Sequence, residues 1–186
     1  ISQVLLTGDF AYKIKKPMDF GFLDFSTLER RKRFCEEELR LNSRLAAELY
    51  LEVVPITGTP EQPQLGGEGT PFEYAIRMRQ FDQNQLFDVR QERGDLPADL
   101  LTNLARQVAD FHKSLPPVAD DKPLGTPEAV YAAMQENFDQ IRPMLDDAGL
   151  LAQLDNLEDW TRTTFERCRD LIAHRRENGL VRECHG

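Results

Sequence analysis

Phe10-Ala11-Tyr12-Lys13-Ile14-Lys15 is the stretch from which the fold can be read. In an extended strand successive side chains alternate, so Phe10, Tyr12 and Ile14 share one face while Ala11, Lys13 and Lys15 share the other. Upstream, Gln3 to Leu6 forms a second apolar run. Thr7-Gly8-Asp9 between the two supplies tight-turn chemistry, which predicts a hairpin. Downstream, past Pro17 and a connector carrying Phe20, Phe22 and Phe25, Ser26-Thr27-Leu28-Glu29 reads as a capping box with Ser26 as N-cap. It opens a long helix that runs to about Leu45. Val53 to Ile56 and Phe72 to Met78 are two more strands, joined by a loop rich in Gly and Pro over residues 57–71. Together these predict a small antiparallel sheet beside one helix.

The remainder reads almost entirely as helix. From Pro97, apolar Leu101, Leu104, Val108, Phe111 and Leu115 step by three and four until Pro116-Pro117 stops the pattern. Thr126-Pro127-Glu128 is an N-cap followed by Pro at the first helical position. Val130, Met134, Phe138, Ile141 and Leu145 continue on one face, with a kink expected at Pro143. A third helix starts near Leu150, is expected to bury Leu154, Leu157, Phe165, Cys168 and Ile172, and closes at Asn178-Gly179. Leu180 to Cys184 reads as extended.

Composition bounds what such a chain can do. With 186 residues, 40% apolar content and a formal charge of −9, it has material for one acidic domain or two small lobes. The negative field disfavours nucleic acid as a partner. No apolar run approaches the roughly 20 residues that cross a bilayer, so a membrane partner is not expected and a soluble, cytoplasmic protein is. Cys35, Cys168 and Cys184 lack CxxC spacing, which argues against a disulfide framework and a zinc site.

Lys13 and Glu38 are the informative pair, each a charge on a face where packing favours an apolar group. The inward stripe of the first helix is read through Leu28, Cys35, Leu39, Asn42 and Leu45, with Glu38 on its border. A carboxylate there needs a cation or open water, and Lys13 is a candidate partner. Such a pair can hold an ammonium pointing at a phosphate oxygen. The competing reading has both side chains snorkelling to solvent.

These residues also carry a resemblance. Phe10-Ala11-Tyr12-Lys13 has the form of the kinase strand motif V-A-I-K, and the helix Cys35 to Leu45, the strand Tyr74 to Met78 and Arg182-Glu183-Cys184-His185-Gly186 follow in matching order. The chain resembles the aminoglycoside phosphotransferase family of the protein-kinase-like fold. AYKIKKPMDFGFLDFSTLERR, CEEELRLN, LYLEVVPITG and YAIRMRQF are similar to a bacterial subgroup often fused to a C-terminal P-loop ATP-binding domain.

The resemblance implies an α+β, protein-kinase-like fold. Residues 1–81 would form a nucleotide-binding N-lobe, and residues 82–186 the helical part of a C-lobe ending at the start of the catalytic loop. It implies an ATP- and Mg²⁺-dependent phosphotransferase acting on a small-molecule acceptor that the sequence does not specify. Lys13 would contact the α- and β-phosphates, and Glu38 would hold it; Lys15 fits the motif less well. Met78 would stand at the rear of the adenine pocket, with backbone groups of Arg79 and Phe81 reading the adenine edge. His185 would begin the catalytic loop, whose Asp would be the next residue, and the phosphate-covering turn would precede the first strand pair. On that reading the chain is a fragment without turnover. The alternative is a non-catalytic kinase-like module serving a fused ATP-binding protein.

Other features carry plainer readings. Leu65-Gly66-Gly67-Glu68-Gly69-Thr70 lacks the Lys and helix of a phosphate loop and reads as a strand connection. Arg30-Arg31-Lys32-Arg33, interleaved with Glu29, Glu36 and Glu37, reads as a solvated helix start. His112 is expected to be structural and His174 solvent-facing. Cys35 and Cys168 are expected as small core residues, and adjacent Cys184 and His185 point to opposite faces of a strand.

Overall fold

The computed structural model describes residues 1–184 and shows an α+β chain. Strands β1 (Ser2–Thr7) and β2 (Phe10–Lys15) form the expected hairpin, closed by Gly8-Asp9, with Thr7 opposite Phe10. Gly8 has φ +56 and Asp9 does not leave the negative-φ region, the pattern of a type II′ turn. Helix α1 (Leu28–Ala46), β3 (Tyr50–Thr59), β4 (Gln62–Leu65) and β5 (Glu73–Arg79) follow. The sheet order is β1-β2-β5-β3-β4, antiparallel in every pair.

Three local readings are corrected. The N-cap of α1 is Thr27, whose Oγ1 accepts from the Arg30 amide at 3.3 Å, not Ser26. Each residue of Ser26-Thr27 can cap; Thr27 does so because its backbone is extended while its carbonyl takes the first helical bond, from the Arg31 amide at 3.1 Å, whereas the Phe25 and Ser26 carbonyls accept from the Arg31 guanidinium at 3.0 and 3.2 Å. Residues 57–71 are not simply a loop, since β3 runs to Thr59 and turns into β4. Polar Gln62 and Gln64 form strand there because backbone pairing with β3, not burial, is what they supply: all four residues of β4 are exposed. The inward face of α1 runs through Arg31, Cys35 and Glu38, while Asn42 and Leu45 face solvent. Two charges sit on that face because each finds a partner on the sheet.

The strand alternation of β2 holds. Tyr12 and Ile14 pack against the buried cluster Val54, Ile56 and Ala75, and register places Ile14, Ala75 and Val54 side by side. Lys13 and Lys15, on the opposite face, reach α1.

The chain divides into two compact units, one over residues 1–100 and the other Leu101–Cys184. Residues 82–100, which the sequence assigns to the helical part, cluster with the sheet; they hold a short turn at Gln83–Gln85 and α2 (Phe87–Glu92). The second unit contains α3 (Ala98–Ser114) beyond Leu100, α4 (Pro127–Ile141) and α5 (Ala148–Glu177). Thr126 caps α4 as expected, through a 3.2 Å bond from the Ala129 amide. Pro143 does not kink α4; the helix ends at Ile141 and a 3-10 turn covers Arg142–Met144, since proline cannot donate the next helical bond. Tyr131 packs on Phe165 with ring centroids 4.6 Å apart, and Leu154 and Phe165 are buried. Leu157 is 56% exposed, contrary to expectation, because α4 is 15 residues long against 30 for α5 and covers one side of it. Gly179, at φ +67, ends α5 as its Asn-Gly signal predicts.

Candidate functional site

One row of side chains crosses four strands. Leu6 faces Ala11, Ala11 faces Met78, and Met78 faces Tyr50, all in register. The methyl of Ala11 at the centre of the row leaves a hollow that a larger residue would fill. The result is a pocket of about 330 Å³, walled by Val4, Leu6, Ala11, Lys13, Leu49, Tyr50 and Met78 and bounded by Arg79, Gln80, Phe81 and Gln83. Four of the predicted residues, Lys13, Met78, Arg79 and Phe81, therefore line one cavity.

Glu38 is not a border residue. Its Oε1 accepts from Lys13 Nζ at 2.6 Å and its Oε2 from Lys15 Nζ at 2.7 Å. The snorkelling reading is thereby replaced for Lys13 and Glu38. Lys15, at 6% side-chain exposure, is the deeper cation and lies 4.9 Å from the Phe25 ring centroid. Lys13, at 30%, is the one that lines the pocket. Burial works against the Glu38 charge, but the hydrogen bonds and charges of Lys13 and Lys15 outweigh it and hold its carboxyl below the ordinary value of 4.5. Neighbouring groups respond: burial first, aided by the Glu38 charge, pushes the Tyr50 hydroxyl up. Burial likewise pushes the Cys35 thiol up to about 11, with Lys15 opposing it. A thiol so placed is a core residue and a poor nucleophile.

The backbone at the pocket rim is sorted by its bonds. The Arg79 amide donates to Leu49 O at 2.9 Å and the Gln80 amide to Asp9 O at 2.9 Å, so neither N–H reads a ligand edge. The Leu49 amide, which a reciprocal antiparallel pair would aim at the Arg79 carbonyl, donates to Ala46 O instead. Among the described residues no acceptor engages the Phe81 amide, and its carbonyl receives only a long 3.5 Å bond from Gln83 Nε2. Arg79 thus offers a carbonyl, and Phe81 an amide, at the cavity edge. Gln80 pins this segment to the hairpin turn through bonds to Gly8 O and Phe10 O at 3.1 and 3.2 Å.

His185 lies outside the described residues. Sequence reasoning missed Val4, Leu6, Tyr50 and Gln83 as lining residues and undervalued Lys15. Hairpin register was the signal that could have found Val4 and Leu6, because both face the Ala11–Lys13 side of β2. Of the basic run of α1, Arg30, Lys32 and Arg33 are exposed, as a solvated helix start requires, while Arg31 is buried: Arg31 grips Glu73 at 2.9 Å, Arg30 pairs with Asp24, and Lys32 with Glu36 at 3.4 Å. His112 is half-buried, and its carbonyl, with those of Lys113 and Leu115, accepts from Arg182 Nη1. His174 is exposed and contacts Asn178.

Relatives of this chain are uncharacterized mycobacterial proteins. Uncharacterized proteins of Mycobacterium bovis and of Mycobacterium tuberculosis are 37% identical to it over 111 residues, 59% of this chain and 20% of each relative. The chain thus matches about a fifth of the length of these curated relatives. No family model matches it, and no solved structure does. No helix among the described residues is long and apolar enough to cross a membrane.

Proposed function

We propose that this chain carries the nucleotide site of an ATP-dependent small-molecule phosphotransferase of protein-kinase-like fold, the reading its resemblance to the aminoglycoside phosphotransferase family implies. The observation that carries it is the Lys13 ammonium, fixed on Glu38 at 2.6 Å in the wall of a pocket lined mostly by apolar groups. Flat apolar walls from Leu6, Ala11, Tyr50 and Met78 suit a purine ring. A carbonyl from Arg79 and an amide from Phe81 provide the donor–acceptor pairing an adenine edge needs. Two ammoniums sharing one carboxylate leave a local surplus of one positive charge, and an anion relieves that surplus more strongly here than in water because the group is partly desolvated. A triphosphate is such an anion.

ATP fits these residues; Mg²⁺ is a separate matter. When bound, Mg²⁺ would neutralise charge on the transferring phosphates. Among the described residues no three His, Cys, Asp or Glu side chains stand close enough to hold a metal ion, so these residues furnish no ligand set of their own. In this reading the chain binds and orients the nucleotide through Lys13, Glu38 and the 79–81 backbone. Most of each relative lies outside the match, room enough for the acceptor site and the fused P-loop ATP-binding domain that the resemblance implies.

Isothermal titration with Mg-ATP tests the proposal. Saturable binding is expected, weakened about tenfold or more in Lys13→Met, a loss of about 1.4 kcal/mol. Equal binding by the variant, or none by either protein, would overturn the nucleotide reading in favour of the non-catalytic kinase-like module.

A further inference from the structure

Gln80 bonds three successive carbonyls at the β1–β2 turn. Its backbone amide donates to Asp9 O at 2.9 Å, and its side-chain Nε2 to Gly8 O at 3.1 Å and to Phe10 O at 3.2 Å. Both hydrogens of the carboxamide nitrogen thus go to the turn, and since carbonyls only accept, the nitrogen end of the amide must be the one that faces them. The tie comes where the chain needs it. The register between β2 and β5 ends with Phe10 opposite Arg79, so beyond Arg79 no ladder pairing holds the backbone. The same bonds set its direction. The Arg79 amide points to Leu49 O and the Gln80 amide to Asp9 O, on opposite sides of the chain. Holding Gln80 against the turn therefore aims the Arg79 carbonyl and the Phe81 amide to the side of Leu49, which lines the cavity.

We propose that Gln80 is a positioning residue: its side-chain clamp on the hairpin turn holds residues 79–81 so that the Arg79 carbonyl and the Phe81 amide stand ready for the hydrogen-bonding edge of a 6-aminopurine. A backbone already in its binding geometry loses less freedom when the ligand arrives, and the clamp supplies that preorganisation. Gln80 holds the reading groups and does not replace them, because its own donors are spent on the turn. The identity of the ligand rests on the nucleotide reading of the pocket; the clamp does not.

Two variants remove the donor. Gln80→Ala deletes the carboxamide, and Gln80→Glu keeps its size but at about pH 7.5 has no proton to give. In ligand-free protein, amide hydrogen exchange followed by NMR is expected to quicken about tenfold at Arg79 and Gln80 in both variants, while Ala75 and Ile76 in the middle of β5 keep their rates. Unchanged exchange at residues 79 and 80 would overturn the clamp.

Titration calorimetry then compares Mg-ATP with the magnesium complex of inosine triphosphate. The two nucleotides share sugar and phosphates, but inosine presents an oxo group and an N–H where adenine presents an amino group and a bare ring nitrogen. Wild type is expected to prefer Mg-ATP by about tenfold or more. Both variants are expected to lower that preference about three- to tenfold, the worth of one hydrogen bond, with affinity for the inosine nucleotide held within about twofold. Equal weakening toward both nucleotides would mark a bond that only stabilises the hairpin, and would overturn the positioning role, as would a wild type without preference. If wild type binds neither nucleotide, the nucleotide reading falls and the positioning role falls with it. If wild type shows the preference and both variants match it, the Gln80 assignment alone is lost.

Discussion

Arg31 shows how much a single charged side chain can secure when it is buried with all its partners. Its Nε meets both Glu73 oxygens at 2.9–3.0 Å, and its Nη1 takes the carbonyls of Phe25 and Ser26, so it fastens the 16–27 connector and α1 to β5. Removing it leaves the half-buried Glu73 without a cation, its charge met only by the Tyr74 amide at 3.0 Å. Arg31→Ala is expected to cost about 3 kcal/mol or more in denaturant unfolding, far above what the exposed Arg40–Glu37 pair would cost. Glu38 predicts a pH dependence whose sign follows from its lowered value. A carboxyl more acidic folded than unfolded stabilises above the ordinary 4.5, and that contribution is lost as pH falls through the folded value. Glu38→Gln is therefore expected to lose about 2 kcal/mol near neutral pH, a gap that closes as both proteins are acidified below pH 4.5. Cys35 works in the opposite direction, since its thiol is harder to ionise folded than unfolded. At mildly alkaline pH, iodoacetamide followed by mass spectrometry is expected to label Cys168 and Cys184, both half-buried, while sparing Cys35 until the protein unfolds.

Capping and turns decide where the elements begin. Since Thr27, not Ser26, caps α1, Thr27→Ala is expected to cost about 1 kcal/mol, and Ser26→Ala, whose hydroxyl holds only a 3.4 Å bond from exposed Arg30, a few tenths at most. Equal losses in thermal unfolding would refute the assignment. Most elements were legible because their signals are local: Gly8-Asp9 closes the hairpin, Thr126-Pro127 opens α4 and Asn178-Gly179 ends α5. The start of β3 at Tyr50 and the whole of β4 were not, because polar Gln62 and Gln64 carry no apolar alternation and become strand only by pairing with Thr57 and Thr59. The inward face of α1 was misjudged for a related reason. Apolar periodicity assumes that charges face water, yet here Arg31 and Glu38 face the sheet because Glu73, Lys13 and Lys15 await them.

For the molecule as a whole, the charge of −9 and a sequence pI of about 4.9 predict weakest solubility near pH 5, where light scattering should peak. Against that negative background the Lys13–Glu38–Lys15 group is a local reversal, with a surplus of one positive charge beside an apolar cavity. By itself the sequence determined the α+β class, the hairpin with Lys13 on its small-residue face, the helix bearing Glu38 and the chain order of the helices, because turn residues, caps and alternation act over a few neighbouring positions. Only the tertiary structure decided that Glu38 lies inward between two lysines, that Tyr50 and Leu6 join Ala11 and Met78 in one row, and that the Arg79 amide is spent on Leu49. Those outcomes depend on strand register and helix rotation, which are set largely by contacts between residues 23 to 70 positions apart and leave no local pattern in the chain.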